Sequence, residues 1–235
     1  HYIKKILHFA HQLQLKILQL KIKGLKMRIA IIAANGKTGI NLVNEALKQG
    51  HDVTAFVRNK EYKNDAIKVV YKDSFELTKD DLAGFDAVIS AFGVWALDTF
   101  ALHRKNTQHL ADLLSGTKSR LLIVGGAGIL RVGEKMLMDT PEFPADYIGV
   151  AKADAESFYA LKDRKDVLWT YVCPAGDYDA NGKRTGEYKL GTNEIILNLG
   201  GESYISYADF AIAIIDELKN ANFVQKTFTA VGERA

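Results

Sequence analysis

The stretch "IAIIAANGKTGINLV", residues 29 to 43, decides the fold. It begins as an unbroken apolar run, breaks at an Asn-Gly pair, and resumes with the apolar spacing of an amphipathic helix. A continuous apolar run is typical of a strand buried on both faces, as in a parallel sheet. The break places four residues between the strand and the body of the helix, namely Gly36, Lys37, Thr38 and Gly39.

This turn has the chemistry of a phosphate site. Backbone N–H groups are free at the start of a helix, and the helix dipole favours an anion there. Gly36 allows the backbone to approach a pyrophosphate, and Gly39 allows the helix to pack closely on the strand. Thr38 adds a hydroxyl donor and Lys37 a charge at the rim. An ordinary strand-turn-helix corner is the alternative, but the flanking strand, helix and second strand favour a dinucleotide site.

From Met27 onward, strand-like and helix-like segments alternate along the chain. The apolar, strand-like runs are residues 29 to 34, 52 to 57, 67 to 71, 86 to 91, 120 to 124 and 167 to 172. The helical patterns are residues 38 to 49, 98 to 115, 146 to 162 and 207 to 219. Such alternation predicts an α/β fold with a doubly wound parallel sheet. Together with the glycine turn, it predicts a sheet of the NAD(P)-binding Rossmann type.

We expect residues 27 to 235 to form a single domain with a small C-terminal substrate region. The strand-helix alternation stops after residue 173 and gives way to a stretch rich in Gly, Asn and Asp. Long connections at the strand ends of such folds carry binding groups. The segment of about 174 to 205 is therefore predicted to contact substrate, with Tyr178, Arg184 and Tyr188 closing over the ligand.

Residues 1 to 26 differ in composition from the rest of the chain. They hold six lysines and no acidic residue, with apolar residues near a helical period. One interpretation is a cationic amphipathic helix that lies on an anionic membrane or in a partner's groove. The other, which we favour, is an appendage to a domain that begins near Met27.

Composition excludes several classes of protein. The chain of 235 residues has 31 basic and 28 acidic side chains, and the excess of positive charge lies in residues 1 to 26. Residues 27 to 235 are therefore not predicted to bind nucleic acid. The single cysteine, Cys173, excludes an internal disulfide framework and any multi-cysteine metal site, and it is expected to be a packed side chain. His103 and His109 are six residues apart on one predicted helix, which is poor spacing for a metal.

The longest apolar runs fall far short of the about 20 residues that cross a bilayer. We therefore expect no transmembrane segment, and the scarcity of cysteine fits a reducing compartment, so a cytoplasmic location is predicted. No metal is expected. The oligomeric state is left open between a monomer and a homodimer.

The end of the second strand bears on cofactor choice. An Asp or Glu at this point would bind the ribose of NAD, but the chain reads Phe-Val-Arg-Asn, with the arginine at position 58. The guanidinium of Arg58 can make two parallel hydrogen bonds to a 2′-phosphate. NADP is therefore the predicted cofactor, with NADPH preferred over NADH. An arginine that is merely exposed on the surface is the alternative.

Six motifs in this order, "AANGKTG", "FVRN", "YKDSF", "DAVISAFG", "LLIVGGAG" and "YVCPAG", resemble the atypical short-chain dehydrogenase/reductases. Residues 27 to 232 are most similar to the NADH-flavin reductase group, which is related to biliverdin reductase B and the NmrA-like proteins. The resemblance covers essentially the whole chain except the leader, residues 1 to 26, and it includes the tail "ESYISYADFAIAIIDEL". It implies a Rossmann fold that binds NAD(P).

Carried over position by position, the resemblance implies a set of cofactor residues. Gly36, Lys37, Thr38 and Gly39 would line the diphosphate, and Arg58 would meet the ribose of adenosine. The remaining residues are Asp73 beside adenine, Ser90, Ala91 and Phe92 beside the adenosine and linking phosphates, Gly125, Gly126 and Ala127 near the nicotinamide ribose, and Pro174 with Ala175 near the nicotinamide. The first glycine of the family motif is Ala33 here, and alanine fits there if its φ is negative.

The catalytic residues are not assigned. Ordinary short-chain dehydrogenases use Tyr-x-x-x-Lys on one helix, because side chains at i and i+4 share a face. Tyr147 and Lys152 are five residues apart, which is about 500° of helix, so the side chains diverge by about 140°. The serine that supports such a pair is also replaced by the glycine-rich "GGAG". Tyr147 is kept as a candidate proton donor, against the alternative of a residue at the edge of the pocket.

Two functions from different classes agree with these features. One is an NADPH-dependent reductase that transfers hydride to a small-molecule acceptor, such as a flavin, a quinone or a similar flat ring system. The other is an NADP-binding sensor or interaction protein without catalysis. The missing Tyr-Lys pair suits both. Trp95 and Phe92, beyond the fourth strand, are placed either to stack on a flat ring or to pack in the core.

Overall fold

The computed structural model describes residues 26 to 235. The predicted leader, residues 1 to 26, lies outside the described residues except for Lys26. Residues 27 to 235 hold the predicted domain.

Strands and helices alternate along the described chain. The strands are β1 (Arg28–Ile32), β2 (Asp52–Val57), β3 (Lys68–Tyr71), β4 (Ala87–Ser90), β5 (Arg120–Val124), β6 (Arg131–Val132), β7 (Lys135–Met136), β8 (Leu168–Cys173), β9 (Asp177–Asp179), β10 (Lys189–Gly191), β11 (Tyr204–Ser206) and β12 (Lys226–Val231). The helices are α1 (Lys37–Lys48), α2 (Ala101–Leu114), α3 (Ile148–Tyr159) and α4 (Tyr207–Asn220).

Eight strands form one sheet in the order β3-β2-β1-β4-β5-β8-β12-β10. All neighbouring pairs are parallel except β10 and β12, which are antiparallel. The chain builds outward from β1 in one direction through β2 and β3, and then in the other direction from β4. The crevice at the carboxyl ends of β1 and β4 is the switch point where such sheets bind ligands. The predicted doubly wound parallel sheet is confirmed.

Alternate residues of β1 show how the sheet is covered on both faces. Ile29 and Ile31 pack with residues of α1 and α4 in one buried cluster. Ala30 and Ile32 pack with residues of α2 and α3 in the other. Because successive side chains of a strand point to opposite faces, an unbroken apolar strand needs helices on both sides.

One long strand, β12, was not among the predicted strands. It pairs in parallel with β8 and extends the sheet. Its sequence alternates threonine with apolar residues, which does not resemble the continuous apolar runs of the other strands. Thr229 is nevertheless buried. Its hydroxyl is satisfied there because it donates to the backbone carbonyl of Pro174 at 3.5 Å.

Candidate cofactor and active site

The first turn of α1 presents unpaired backbone donors. Gly36 is the N-cap residue, with φ −75° and ψ 165°, and no side chain caps the helix. In the described part of the chain, no protein group accepts a hydrogen bond from the N–H of Lys37, Thr38 or Gly39. Helix starts of this kind hold anions. These residues therefore fit a diphosphate at the end of β1.

The two glycines of the turn have different surroundings. A Cβ added to Gly39 would lie 2.5 Å from the carbonyl oxygen of Ala33 and 2.7 Å from the Cα of Ala34, so the packing of α1 on β1 requires glycine there. A Cβ on Gly36 would meet only the carbonyl oxygen of Ala33, at an ordinary 3.5 Å. No described residue requires glycine at position 36, whereas a phosphate lying against the backbone would.

Ala33 does not meet the condition under which alanine fits this position without strain. Its φ is +57°, in the left-handed region, rather than negative. This conformation costs an L-residue roughly 1–2 kcal/mol and explains why the family motif has glycine there. The bend allows the N–H of Gly36 to donate to the carbonyl of Ala33 at 3.1 Å, which forms the turn.

The residues predicted to meet the adenosine end lie together after β2 and β3. The Nε atom of Arg58 is 3.7 Å from Oδ2 of Asp73, and the Arg58 side chain is 76% exposed. The other oxygen of Asp73 accepts from the N–H of Phe75 at 3.0 Å and caps the short 3-10 turn Ser74–Glu76. The guanidinium is thus held loosely by one carboxylate and remains accessible to a ligand.

Ser90 is buried and Phe92 is partly buried, and both side chains have partners within the protein. The Ser90 hydroxyl lies 3.2 Å from Oδ1 of Asn106, and the amide nitrogen of Asn106 donates to the Ser74 hydroxyl. The Phe92 ring meets the rings of Phe75 and His103 edge to face, with centroids 5.7 and 6.1 Å apart. These contacts hold the Ser90 hydroxyl and the Phe92 ring within the protein, and the contact of residues 90 to 92 with a cofactor stays a prediction.

The glycine pair after β5 lies against two buried side chains. A Cβ on Gly126 would be 2.5 Å from Oδ2 of Asp154, and one on Gly125 would collide with the ring of Tyr171. The Tyr171 hydroxyl donates to the backbone carbonyl of Asp154 at 2.8 Å. Asp154 and Tyr171 therefore pack directly against the glycine pair, which stands where ordinary short-chain dehydrogenases have a serine.

The ends of β5 and β8 adjoin one another. The N–H of Gly125 donates to the carbonyl of Val172 at 2.9 Å, just before the buried Pro174 and Ala175. Ala127 begins the 3-10 turn Ala127–Ile129. The two groups predicted for the nicotinamide end are therefore neighbours, at the same edge of the sheet as the phosphate turn.

Comparison with known proteins agrees with this geometry. A family model described as NAD(P)H-binding matches residues 33 to 221, which include the first turn of α1, Arg58, Asp73 and the glycine pair after β5. The chain belongs to this NAD(P)H-binding family.

Relatives of this NAD(P)H-binding protein include YwnB of Bacillus subtilis, 44% identical over 212 residues that cover 88% of this chain and 99% of YwnB. A crystal structure from Streptococcus pneumoniae, named as a "putative NADH-flavin reductase", is 45% identical, with a TM-score of 0.85, and covers 88% of this chain and 100% of that one. A "putative epimerase" from Bacteroides thetaiotaomicron is 35% identical, with a TM-score of 0.78, over 90% and 100% of the two chains. The resemblance to the atypical short-chain dehydrogenase/reductases is confirmed.

In this NAD(P)H-binding domain, α3 lacks the Tyr-Lys pair that the equivalent helix carries in ordinary short-chain dehydrogenases. Tyr147 directly precedes α3 and is 53% exposed, with its ring edge to face with Trp95 at 6.4 Å. Four residues further, at the position of the lysine, stands Ala151, which is buried beside Gly128. Lys152 is exposed. Tyr147 as a proton donor stays a prediction.

The predicted substrate segment reaches back to the phosphate turn through Tyr178. The Tyr178 and Thr38 hydroxyls are 3.1 Å apart, although these residues are far apart in the chain. The Tyr178 ring stacks on Tyr207 with centroids 3.6 Å apart. Burial raises the pKa of the Tyr178 phenol, so it stays protonated. Tyr178 therefore lies beside the first turn of α1.

Arg184 and Tyr188 have their polar ends paired with helices that cover the sheet. Arg184 binds Glu45 of α1, with nitrogen and oxygen 3.1 Å apart. The Tyr188 hydroxyl donates to Asp216 of α4 at 2.7 Å. That these two side chains close over a ligand stays a prediction.

A buried ion pair that was not predicted from the sequence joins α2 to α3. Nδ1 of His103, on α2, lies 3.1 Å from Oδ1 of Asp154, on α3. Burial works to lower the pKa of His103, but the hydrogen bond and charge of Asp154 outweigh it and raise that pKa above its ordinary value. A glycine pair is compatible with close packing at this point. No local sequence pattern identifies Asp154 as the neighbour, because it is distant in the chain.

Two features are absent from residues 26 to 235. No cluster of three or more His, Cys, Asp or Glu side chains in this range is arranged to hold a metal ion. None of its helices has both the length and the apolar character needed to cross a membrane. Cys173 is buried, and burial together with the nearby Asp154 raises the pKa of its thiol.

Proposed function

We propose that this protein is an NADPH-dependent reductase that transfers hydride to a flavin, a quinone or another flat conjugated acceptor. The observation that carries the proposal is the combination of an NAD(P)H cleft with a nicotinamide end that lacks the Tyr-Lys pair. Carbonyl reduction by ordinary short-chain dehydrogenases depends on that pair. A flat conjugated acceptor takes hydride and then a proton from water, so the protein need only align two rings.

The rim of the cleft supports an aromatic acceptor. Trp95, in the loop after β4, is 71% exposed and meets Tyr147, at the start of α3, edge to face. Aromatic rings with free faces can stack on a flat acceptor. The Streptococcus pneumoniae relative, at 45% identity, bears a name that refers to flavin reduction, which agrees with this class of acceptor.

NADPH supplies the hydride, and the chain's own residues bind and orient it. The first turn of α1 offers backbone donors to the diphosphate, and Arg58 offers a guanidinium to the 2′-phosphate. Its 76% exposure and its loose contact with Asp73 leave the guanidinium free to bind. The backbone of the glycine pair after β5 borders the nicotinamide ribose.

The second candidate is an NADP-binding sensor or interaction protein without catalysis. The observation in its favour is the exposure of Trp95 and of Leu97, which is 82% exposed, in the same loop. A protein partner could bury these side chains. On this hypothesis NADPH would bind but would not be consumed.

The test is NADPH oxidation by the purified protein with flavins, quinones and aldehydes, each against a control without acceptor. We expect oxidation with the flat acceptors and none with aldehydes. Trp95→Ala should raise the KM for the acceptor, while Leu190→Ala, which removes an exposed apolar side chain from the sheet edge strand β10, should not. NADPH binding without oxidation by any acceptor would favour the sensor.

A further inference from the structure

One imidazole nitrogen faces both polar groups of a single residue in the loop after β4. Nε2 of His103 lies 3.0 Å from the carbonyl oxygen of Val94 and 3.4 Å from its amide nitrogen. The other ring nitrogen, Nδ1, is bound to Asp154. A ring nitrogen either donates or accepts a hydrogen bond, depending on whether it carries a proton.

The protonation state of His103 therefore selects how the loop is held. When both nitrogens carry protons, Nε2 donates to the Val94 carbonyl at the shorter distance. When the ring is neutral and Nδ1–H still faces Asp154, Nε2 becomes an acceptor, and only the longer contact from the Val94 N–H remains. Loss of one proton thus exchanges a short charge-assisted hydrogen bond for a weak one.

This contact connects the two sides of the active cleft. Val94 precedes Trp95, the exposed ring at the proposed acceptor rim. Asp154 lies with Oδ2 against Gly126, at the proposed nicotinamide end. His103 stands between them, with its ring also edge to face with Phe92.

We propose that protonated His103 is a positioning residue that holds the loop of residues 91 to 96 in its acceptor-binding conformation. The acceptor rests on the proposed function, but the control of the loop by His103 does not. A purely structural role, in which the pair only ties α2 to α3, would change stability without changing the response of the loop to pH.

The surroundings determine the sign of the pH dependence. Among the described residues, Asp154 from α3 is the charged group that faces the ring, and Tyr171 and Cys173 from β8 lie near Asp154. Burial raises the pKa of both β8 groups, so they stay neutral. The pKa of His103 is raised from 6.5. The short contact is therefore complete below about pH 6.5 and is lost as the pH rises through the folded-state pKa.

Trp95 reports on the loop without any substrate. The tryptophans are Trp95, which is exposed, and Trp169, which is buried, so subtraction of the Trp95→Phe signal isolates Trp95. We expect the emission and acrylamide quenching of Trp95 to change with a midpoint above pH 6.5. His103→Gln should abolish the change, and Asp154→Asn should move it to lower pH. His109→Gln is the matched control, because His109 on the same helix meets the carbonyl of Leu77 instead.

A second measurement links the loop to the acceptor. The acceptor KM of the wild type should rise by up to about tenfold across the same midpoint, while NADPH affinity stays unchanged. His103→Gln should make KM independent of pH over that range. A Trp95 transition that survives in His103→Gln, or no transition in the wild type, would overturn the proposal. If no acceptor is turned over, the proposed function fails, but the Trp95 titration still decides the role of His103.

Discussion

Gly36 and Gly39 stand three residues apart, yet only Gly39 is required by the packing of the protein itself. Its hypothetical Cβ meets backbone atoms at 2.5 and 2.7 Å, whereas that of Gly36 has room and an ordinary φ of −75°. The turn could be predicted from the two glycines and their flanking segments. The left-handed φ of Ala33 could not, because alanine rarely adopts it.

We predict that Gly36→Val folds like the wild type but loses NADPH binding. The branched side chain is tolerated by the protein and collides with a phosphate that lies against the backbone. Gly39→Ala is the contrasting variant, in which the clash is internal and the thermal midpoint should fall. Thermal melts and NADPH titrations of both variants make the comparison. Retained affinity in a folded Gly36→Val protein would place the dinucleotide elsewhere.

Arg58 is predicted to discriminate between the two cofactors. Its guanidinium is accessible at the adenosine end, so Arg58→Ala should weaken NADPH binding by about 1.5 to 3 kcal/mol and leave NADH binding nearly unchanged. Lys60→Ala, two residues further along the exposed chain, is the matched control. Titration of both cofactors against the three proteins tests this. Equal affinity of the wild type for NADPH and NADH would contradict the assignment.

Tyr147→Phe is predicted to reduce turnover by less than about tenfold. Catalysis by a positioned general acid typically contributes roughly 10² to 10⁴-fold, and the position four residues after Tyr147 is an alanine rather than a lysine. Steady-state rates with a flavin acceptor, at saturating NADPH, provide the measurement. A hundredfold loss at unchanged NADPH affinity would restore a catalytic tyrosine.

At the scale of elements, Asp209 anchors the predicted substrate segment to α4. Its buried carboxylate accepts from the N–H of Thr185 at 3.0 Å, the N–H of Gly186 at 2.9 Å and the Thr185 hydroxyl at 2.8 Å. Ser206 caps the same helix by accepting from the N–H of Asp209. An acidic residue in a first helical turn could be predicted from the sequence, but its distant partners in a loop could not.

Removal of this anchor should loosen the segment and destabilise the domain. Asp209→Ala removes the three hydrogen bonds from Thr185 and Gly186, each with a net contribution of about 0.5–1.5 kcal/mol. The thermal midpoint should fall by several degrees, since each kcal/mol is worth roughly 2–4 °C in a domain of this size. Limited proteolysis should cut between residues 180 and 190 more readily than in the wild type. An Asp163→Ala control removes an exposed acid and should change neither measurement. An unchanged midpoint in Asp209→Ala would show that the anchor is not needed.

The elements themselves were predictable to different degrees. Strands buried on both faces, such as β1 and β5, are continuous apolar runs and could be read directly. The alternation of threonine with apolar residues in β12 does not resemble a buried strand, although Thr229 is buried and its hydroxyl donates to a backbone carbonyl. The contact between Thr38 and Tyr178 joins residues too far apart in the chain for any local pattern to show it.

At the scale of the whole molecule, the parallel sheet explains how distant residues form one site. Seven strands run in the same direction, so their carboxyl ends meet at one edge. The phosphate turn follows β1, Arg58 follows β2, Asp73 follows β3, and the glycine pair follows β5. This assembly follows from fold class alone and was predictable. The acceptor side depends on loop conformations around Trp95 and His103, which the sequence does not encode in a local pattern.

The measurement that tests the central claim most directly is a single turnover with NADPH and free flavin mixed under anaerobic conditions. The loss of NADPH and the loss of oxidised flavin are followed together by absorbance. The account predicts that both decay at one enzyme-dependent rate, with one flavin reduced for each NADPH oxidised, and that Gly36→Val falls to the rate without protein. NADPH that binds the protein and stays unoxidised in the presence of flavin would contradict it.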